Sequence, residues 1–163
     1  MATKKAKKAK KGKTANRRTA KARPRKASAR KAGSGTQLRD ASPSFTVNDL
    51  ERSIAFYRDV LGFEVEQKWE QDGKVLGVSF RAGKVTVMIG QDDWMKGRDR
   101  MKGQGFRMYF ETATDVDVLA EGIARRGGTL ESLPEDRPWG YRDFNMADPD
   151  GFKLTFGSPI KKR

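Results

Sequence analysis

Polar and apolar residues alternate along the strand predicted near the C-terminus, and the polar ones have side chains that can bind an organic ligand. After the turn at Asp150-Gly151, Lys153 and Thr155 face one way, whereas the apolar residues between them face the other. The same alternation on the other predicted strands collects cationic, carboxylate and aromatic groups on one face, a combination that suits an organic molecule. We predict a ligand-binding cavity on this face, formed by Arg81, Met88, Arg107, Tyr109, Glu111, Trp139, Tyr141, Asp143, Lys153 and Thr155.

The charged members of this set have a second interpretation that needs no ligand. Arg81, Arg107 and Lys153 could pair with Glu111 and Asp143 and so fill a partly hydrated cavity without a ligand. Glu111 could also act as a general base, although a lone carboxylate beside Arg and Tyr more often forms an ion pair. Ligand binding, ion pairing and base catalysis therefore all stay open at the level of sequence.

Composition excludes several classes of catalytic chemistry. The chain has no histidine and no cysteine, so neither a Ser-His nor a Cys-His pair is available for nucleophilic catalysis, and no glycine-rich phosphate loop occurs. The absence of cysteine is typical of a reducing compartment. Because no apolar segment is long enough for a signal sequence or a bilayer span, we expect a soluble, cytoplasmic protein without a membrane partner.

The positive charge is concentrated in the first 35 residues, which contain fifteen Lys or Arg and no acidic residue. The remaining 20 basic residues are balanced by 21 acidic ones, so the rest of the chain is close to neutral. The basic segment has no Val, Ile, Leu, Phe, Tyr or Trp, and it cannot offset the entropy lost on folding. We therefore predict a disordered tail over residues 1–36, followed by one folded domain over residues 41–158.

The predicted tail has the composition of a nucleic-acid-binding arm. Its Lys-Ala-Lys-Lys repeats resemble the arms of linker histones and bacterial histone-like proteins, and each phosphate contact would release counterions. Without an aromatic residue to stack on bases, we expect non-specific binding and association with the nucleoid. A segment that merely solubilises the chain or binds acidic lipids is the alternative. The assigned residues are Lys4, Lys5, Lys7, Lys8, Lys10, Lys11, Lys13, Arg17, Arg18, Lys21, Arg23, Arg25, Lys26, Arg30 and Lys31.

Residues 41–91 have the pattern of a β-α-β-β-β unit. A short alternating strand begins at Ser44, and the apolar residues that follow recur at helical spacing. Asn48 or Asp49 can cap this helix, and Gly62 can end it. Three further strands are predicted, at Phe63 to Trp69, Lys74 to Ala82 and Lys84 to Gln91.

Residues 105–158 repeat this pattern. A predicted strand precedes a helix in which Thr114 and Asp117 stand at capping-box spacing, with Asp in place of the usual Glu. Further strands are predicted at Thr129 to Leu133, Trp139 to Met146 and Phe152 to Phe156. The two helix-starting aspartates, Asp49 and Asp115, are 66 residues apart, which indicates an internal duplication.

Two strings of residues carry a family resemblance, FTVNDLERSIAFYRDVLGFEV in the first unit and PWGYRDFNMADPDGF in the second. The first resembles the opening module of the glyoxalase, bleomycin-resistance and extradiol-dioxygenase superfamily, also called vicinal oxygen chelate proteins. The second is similar to the closing module of its bleomycin-resistance branch. The resemblance implies an α+β fold of two β-α-β-β-β modules, residues 41–91 and 105–158, that curl into an incomplete barrel. It also implies a homodimer.

The resemblance further implies where a metal ion would bind. In metal-dependent members, His, Glu or Gln side chains on four strands hold a divalent ion, and the corresponding positions here are Ser42, Met88, Arg107 and Thr155. Counting back from the helix would give Met108 in place of Arg107, but alternation turns Arg107 towards the cavity. These side chains do not supply the imidazole and carboxylate groups that transition metals require. We therefore predict neither a metal nor another cofactor.

The functional prediction combines the cavity with the tail. We predict a metal-free protein of the sequestration or resistance type that binds a small organic ligand, with a tail that binds nucleic acid. Binding is favoured over catalysis because the usual metal positions hold no metal-binding residues. The alternative is a lyase or related enzyme of the same superfamily that uses Glu111 or Asp143 as a base, the tail being incidental. A dimeric scaffold that presents the tail is a third possibility.

Overall fold

The computed structural model describes residues 40–161. The predicted tail and its fifteen assigned basic residues lie outside that range. Within it, the chain forms two four-stranded sheets, each accompanied by an α-helix. Neither helix of this range has the length and apolar character needed to cross a membrane.

The first module pairs its first strand with its last. Its elements are β1 (Ser44–Val47), α1 (Leu50–Ala55), a π-helical turn (Phe56–Val60), β2 (Glu64–Gln71), β3 (Lys74–Ala82) and β4 (Val85–Gln91). The strand order is β1-β4-β3-β2, in which β1 runs parallel to β4 and the other neighbours are antiparallel. A parallel pair needs a crossover connection, which α1 and the two intervening strands provide.

The second module repeats this topology. Its elements are β5 (Arg107–Glu111), α2 (Val116–Arg125), β6 (Glu135–Asp136), β7 (Tyr141–Ala147) and β8 (Lys153–Pro159). The strand order is β5-β8-β7-β6, and β5 runs parallel to β8. The predicted α+β fold of two β-α-β-β-β modules is confirmed, and within residues 40–161 the two sheets do not close into a complete barrel.

Aspartate side chains begin both helices. Of the two candidates at α1, Asp49 is the cap, because its carboxylate accepts an N–H of the first turn at 3.0 Å. At α2, the carboxylate of Asp115 accepts the N–H groups of Asp117 and Val118 at 3.0 and 3.2 Å. The capping box predicted at Thr114 is therefore wrong, because Asp115 stands directly before the first helical residue and its carboxylate already accepts these N–H groups.

The strand predicted at residues 129–133 is also wrong. Only one of its residues, Leu130, forms a β-bridge, and the short strand β6 follows it. The carbonyl of Asn145 accepts the N–H groups of both Glu131 and Ser132, at 2.7 and 3.2 Å. The Ser132 hydroxyl in turn accepts the Asn145 N–H at 3.0 Å. Because a side chain takes the place of a backbone carbonyl, the ladder does not continue through this segment.

One core of buried side chains contains residues of both modules. Its strand residues are Val47, Val78, Phe80, Val87, Ile89, Met108, Phe110, Phe144, Met146, Leu154 and Phe156. Burial of each such side chain stabilises the fold by roughly 1.5–3 kcal/mol, so the core fixes which residues point to the opposite face of each sheet. The predicted alternation on β5 is confirmed, since Met108 is buried and its neighbours Arg107 and Tyr109 are exposed.

The turn Asp-Pro-Asp-Gly, residues 148–151, attaches the second module to the first. The hydroxyl of Tyr57, in the π-helical turn, donates to Asp148 at 3.1 Å in a buried contact. The backbone N–H and the side-chain Nδ2 of Asn48 donate to the Asp150 carboxylate at 2.7 and 3.0 Å. Burial raises the pKa of Asp148 and, with help from the nearby carboxylate, that of Tyr57.

The linker between the modules, residues 92–106, joins β4 to β5 and contains a buried ion pair. Asp92 is paired with Lys102 and Arg100, and it accepts the N–H of Trp94 at 2.8 Å. The side chains of Asp92 and Lys102 are 6% and 3% exposed. The hydrogen bond from Lys102, followed by that from Trp94, holds the pKa of Asp92 well below its usual range. The start of the linker is therefore fixed to its end.

Candidate functional site

The register of β5, β7 and β8 brings polar side chains together on the open face of the second sheet. Arg107 lies beside Lys153, and Tyr109 beside Thr155, across the β5–β8 pair. Thr155 lies beside Asn145 across the β8–β7 pair. These residues contribute to a cavity of about 330 Å³, here called the second-sheet cavity, a volume near the lower end of ligand pockets. Its lining residues are Arg107, Tyr109, Arg137, Trp139, Asp143, Asn145 and Thr155.

Arg107 is held in the second-sheet cavity by two neutral acceptors. Its Nη1 donates to Asn145 Oδ1 and to Thr155 Oγ1, both at 2.8 Å. The amide of Asn145 is fixed in turn, because its Nδ2 donates to Ser132 Oγ at 3.1 Å and its Oδ1 accepts from Thr155 Oγ1 at 2.7 Å. Within residues 40–161, Arg107 forms no ion pair with a carboxylate.

Arg137 and Asp143 form an ion pair at the cavity wall. The Arg137 Nε donates to Asp143 Oδ1 at 2.7 Å, and Arg137 is also paired with Glu135. The hydrogen bond to Asp143 is the main reason that the pKa of Arg137 is raised. The guanidinium lies 5.9 Å from the ring centroid of Trp139, within the range of a cation–π contact. Arg137 therefore neutralises Asp143 and supports the Trp139 ring.

Aromatic side chains supply apolar surface beside these polar groups. Trp139 is 66% exposed and Tyr109 is 47% exposed. The Tyr109 and Tyr141 rings pack edge to face, with centroids 6.2 Å apart, and the Tyr141 hydroxyl donates to Glu111 at 3.4 Å. Burial, and then the charge of Asp143, raise the pKa of Tyr109. Its hydroxyl therefore stays protonated and can donate a hydrogen bond to a ligand.

A larger cavity of about 660 Å³ lies between the linker and the turn at residues 148–151. Its lining residues are Met101, Lys102, Gly103, Gln104, Gly105, Phe106, Arg107, Asp150, Gly151 and Lys153. Arg107 lines both cavities and therefore lies at their boundary. Lys153, which was predicted for the ligand site, lines the larger cavity and is paired with Glu131.

The predicted site residues separate into two groups. Arg81 and Met88 lie on the first sheet and line neither of the two cavities. Arg81 donates from its Nε to Glu66 at 2.8 Å. The other eight predicted residues belong to the second module, where Tyr141 and Glu111 lie beside the second-sheet cavity and the rest line one of the two cavities. Within residues 40–161, the groups that surround a candidate ligand therefore come from the second module and the linker.

The predicted pairing of Arg81, Arg107 and Lys153 with Glu111 and Asp143 is wrong. Arg81 is instead paired with Glu66, and Lys153 with Glu131. Asp143 is paired with Arg137. Arg81 and Lys153 are therefore paired with carboxylates that strand alternation did not assign to the cavity.

Sequence reasoning missed three residues of these networks for different reasons. Asn145 follows Tyr141 and Asp143 at the same spacing, so the alternation on β7 could have found it. Glu66 lies at a β-bulge, where the register shifts and alternation no longer predicts direction. Arg137 precedes β7 and belongs to no strand. Only the first of these had a usable signal.

The residues at the four expected metal positions do not fit a metal ion. Ser42 precedes β1, and Met88 lies on a different sheet from Arg107 and Thr155. The Arg107 guanidinium donates to the Thr155 hydroxyl, so a cation already occupies this part of the sheet. Among residues 40–161, no three His, Cys, Asp or Glu side chains are grouped so that they could hold a metal. The donor set is therefore unsuited to the chemistry that such an ion supplies.

Comparison with known sequences gives one family match. A sequence profile described as Glyoxalase/Bleomycin resistance protein/Dioxygenase superfamily matches residues 41–156. An uncharacterized protein of Mycobacterium bovis is 30% identical over 128 residues, which cover 74% of this chain and 84% of that protein.

Comparison with solved structures gives the same fold. A protein of unknown function from Agrobacterium tumefaciens is 30% identical, with a TM-score of 0.59 over 78% of this chain and 98% of that one. TioX from Micromonospora sp. ML1 is 18% identical, with a TM-score of 0.61 over 77% of this chain and all of that one. The likeness to TioX supports the fold alone.

Proposed function

Because the chain belongs to the glyoxalase/bleomycin resistance protein/dioxygenase superfamily, we propose that its folded domain binds a small organic molecule without a metal ion. The proposed site is the second-sheet cavity. The observation that carries the proposal is the hydrogen bond between Arg107 and Thr155, because these residues occupy two of the four expected metal positions. The hydroxyl at one position holds the guanidinium at the other, which gives an organic ligand an oriented hydrogen-bond donor.

The surroundings of Arg107 support an organic ligand. Trp139 and Tyr109 expose aromatic surface within the same cavity as the fixed polar groups of Asn145 and Thr155. Ligand sites typically combine apolar walls with a few oriented polar groups. This combination favours binding and sequestration as the function of the folded domain.

The candidate bases are engaged in other contacts, which favours binding over catalysis. Asp143 is 3% exposed and paired with Arg137. Glu111 accepts a hydrogen bond from Tyr141. A general base needs a proton acceptor within reach of the substrate, whereas Asp143 is buried and paired and Glu111 does not line the second-sheet cavity.

Calorimetric titration with bleomycin and with small aromatic ligands, with and without EDTA, tests the proposal. We expect saturable binding that EDTA does not change. Trp139→Ala should weaken binding by roughly threefold to tenfold, because an aromatic contact contributes about 0.5–1.5 kcal/mol. Trp94→Ala, which removes a tryptophan of the linker that lines neither cavity, is the matched control and should leave the affinity unchanged.

Two results would contradict this proposal. Turnover of a ligand that EDTA abolishes would establish a metal-dependent enzyme. Turnover that EDTA leaves intact and Glu111→Gln or Asp143→Asn abolishes would establish the lyase alternative.

We further propose that the protein forms a homodimer. Arg81 and Met88 lie on the first sheet and line neither of the two cavities. In a dimer, this part of the first sheet could lie against the second-sheet cavity of the other copy and complete its wall. Sedimentation equilibrium should give twice the chain mass of 18.3 kDa, and a monomeric mass at high concentration would contradict the dimer.

We also propose that residues 1–36 bind nucleic acid through its phosphates and associate the protein with the nucleoid. The support is compositional, since this segment carries fifteen basic residues, no acidic residue and no aromatic residue. Such a segment neutralises phosphates but cannot read base edges. We expect binding that is independent of sequence and strongly dependent on salt.

Gel-shift titration tests the tail with three proteins. They are the wild type, a variant lacking residues 1–35, and a full-length variant with the fifteen Lys and Arg replaced by Gln. Only the wild type should bind DNA duplexes, and the logarithm of its association constant should fall with log salt by about 0.9 per phosphate contact. Equal affinity for all three proteins would contradict a role for the tail.

A further inference from the structure

We infer that the ligand of the second-sheet cavity is an aromatic carboxylate whose oxygens bind the guanidinium of Arg107. This inference rests on the proposed ligand-binding function and adds the chemical class of the ligand. It follows from the charge of the cavity, the geometry of Arg107 and the nature of the walls.

The charges that line the cavity do not cancel. Arg107 and Arg137 are cations and Asp143 is the one lining carboxylate, so the lining carries a net charge of +1. Arg137 is neutralised by its contacts with Asp143 and Glu135. The uncompensated charge therefore belongs to Arg107. A cation without a counter-charge attracts an anion and repels a cationic ligand.

The hydrogen bonds of Arg107 leave donors for a carboxylate. Both of its hydrogen bonds within residues 40–161 are made by Nη1, to Asn145 and Thr155. Nη2 and Nε accordingly retain N–H groups without a partner in this part of the chain. Two N–H groups on one edge of a guanidinium match the two oxygens of a carboxylate, in a bidentate contact that Lys cannot reproduce.

The guanidinium is already oriented before a ligand binds. Thr155 is 5% exposed and holds Asn145, whose amide is held in turn by Ser132. Arg107 is thus fixed by a partly buried network of neutral groups and not by a competing carboxylate. Preorganisation of this kind lowers the entropy lost on binding.

The walls of the cavity favour a flat apolar body behind the carboxylate. Tyr109 and Trp139 line the cavity and expose part of their rings. Aromatic rings of this kind pack against a second aromatic system by stacking or edge contacts. An anionic head at Arg107 and an aromatic body at these rings together describe an aromatic carboxylate.

Three probes that share a naphthalene ring separate charge from shape. They are 2-naphthoate, its neutral amide 2-naphthamide, and the cation 2-naphthylmethylammonium, each titrated calorimetrically into the full chain at constant salt. We expect 2-naphthoate to bind about tenfold to a hundredfold more tightly than the amide, because hydrogen bonds between charged groups are stronger than those to a neutral amide. The cation should bind more weakly still.

Substitution of Arg107 tests whether the preference for the carboxylate arises in the second-sheet cavity. The basic tail is present in every protein tested, so it does not account for a difference between the variants. Arg107→Gln should remove the preference for the carboxylate over the amide, and Arg107→Lys should retain part of it. Arg58→Gln, which removes an arginine paired with Asp59 in the π-helical turn, is the matched control and should retain it fully. Circular dichroism and the melting temperature check that each variant is folded.

The outcomes distinguish this inference from the proposed function. If all three probes bind equally, or if Arg107→Gln and Arg107→Lys both keep the full preference, the carboxylate inference is wrong while a small-molecule site remains. If none of the probes binds, the inference is wrong, and binding of uncharged or larger ligands in the first titration would still support the proposed function.

Discussion

At the scale of single residues, Asp148 is the side chain on which the contact between the modules depends. Its Oδ1 accepts the N–H groups of Asp150 and Phe152, at 3.0 and 2.8 Å, and its Oδ2 accepts the hydroxyl of Tyr57. These bonds favour the carboxylate, but burial outweighs them, and the pKa of Asp148 is raised. The charge at this position therefore opposes folding even though its hydrogen bonds support it.

Asp148→Asn should remove a pH dependence from the free energy of unfolding. The folded pKa of Asp148 lies above the unfolded value of about 3.9, so the folded state binds the proton more tightly. The resulting stability is present below the unfolded pKa and is lost as pH rises through the folded pKa. We expect the wild type to lose stability relative to the variant as the pH rises from the unfolded pKa through the raised folded pKa.

Urea denaturation at a series of pH values measures this difference. Asp99→Asn, which removes an exposed carboxylate of the linker, controls for the loss of one negative charge. A difference between wild type and Asp148→Asn that stays constant with pH, or grows in favour of the wild type, would show that the hydrogen bonds outweigh burial.

At the scale of elements, the ends of helices and the linker are fixed by specific groups. The α2 helix begins at Asp115, whose carboxylate accepts two N–H groups. The linker contains Gly103 and Gly105, both with positive φ, near +70°. A Cβ at Gly103 would lie 2.5 Å from the carbonyl oxygen of Gly151, whereas one at Gly105 would meet nothing within 4 Å. The helix cap and the two glycines can each be tested by comparing one substitution with a control substitution nearby.

Asp115→Ala should destabilise the protein by about 1 kcal/mol, the usual cost of losing an N-cap side chain. Thr114→Ala is the control, since its side chain does not cap the helix, and it should change stability by less than about 0.5 kcal/mol. Denaturant unfolding of both variants measures the effect. The reverse order of the two would favour the capping box that the sequence predicted.

Gly103→Ala should destabilise the protein more than Gly105→Ala. Both changes place a side chain at positive φ, which costs roughly 1–2 kcal/mol, but only the first also forces Cβ against the backbone at Gly151. We expect the melting temperature of Gly103→Ala to be several degrees lower, since about 1 kcal/mol corresponds to roughly 2–8 °C in a domain of this size. Equal melting temperatures would show that the linker can move away from Gly151.

Sequence periodicity predicted the modules and most strands, because apolar alternation and helical spacing reflect the core directly. It placed Arg107 on the open face for the same reason. It did not predict the contact of Arg81 with Glu66, and the strand that it predicted at residues 129–133, after α2, does not form. The contact of Arg81 depends on the β-bulge at Glu66. The ladder stops after α2 because the Ser132 hydroxyl accepts the N–H of Asn145. Both are local departures from the regular ladder, which period counting cannot detect.

At the scale of the whole molecule, the excess positive charge and the predicted ligand-binding domain lie in different parts of the chain. Residues 1–35 carry fifteen positive charges, and the remainder has 20 basic and 21 acidic residues. The proposed DNA contact and the proposed ligand contact therefore use separate segments. We expect the two binding events to be energetically independent.

Duplex DNA should accordingly leave the melting temperature of the full chain unchanged. A ligand stabilises a fold only if it prefers the folded state, and the tail should bind DNA equally well whether the domain is folded or unfolded. A ligand of the second-sheet cavity should raise the melting temperature under the same conditions. Differential scanning fluorimetry measures both effects, and a rise caused by DNA would show that DNA also contacts the folded domain.

The ion pair between Asp92 and Lys102 has a consequence for how fast a ligand can enter. Because these buried side chains tie residue 92 to residue 102, we expect the linker not to open and close as a lid. Entry then needs only rotation of rim side chains such as Trp139. In a stopped-flow experiment, the observed rate should rise linearly with ligand concentration, without the plateau that a preceding conformational step imposes.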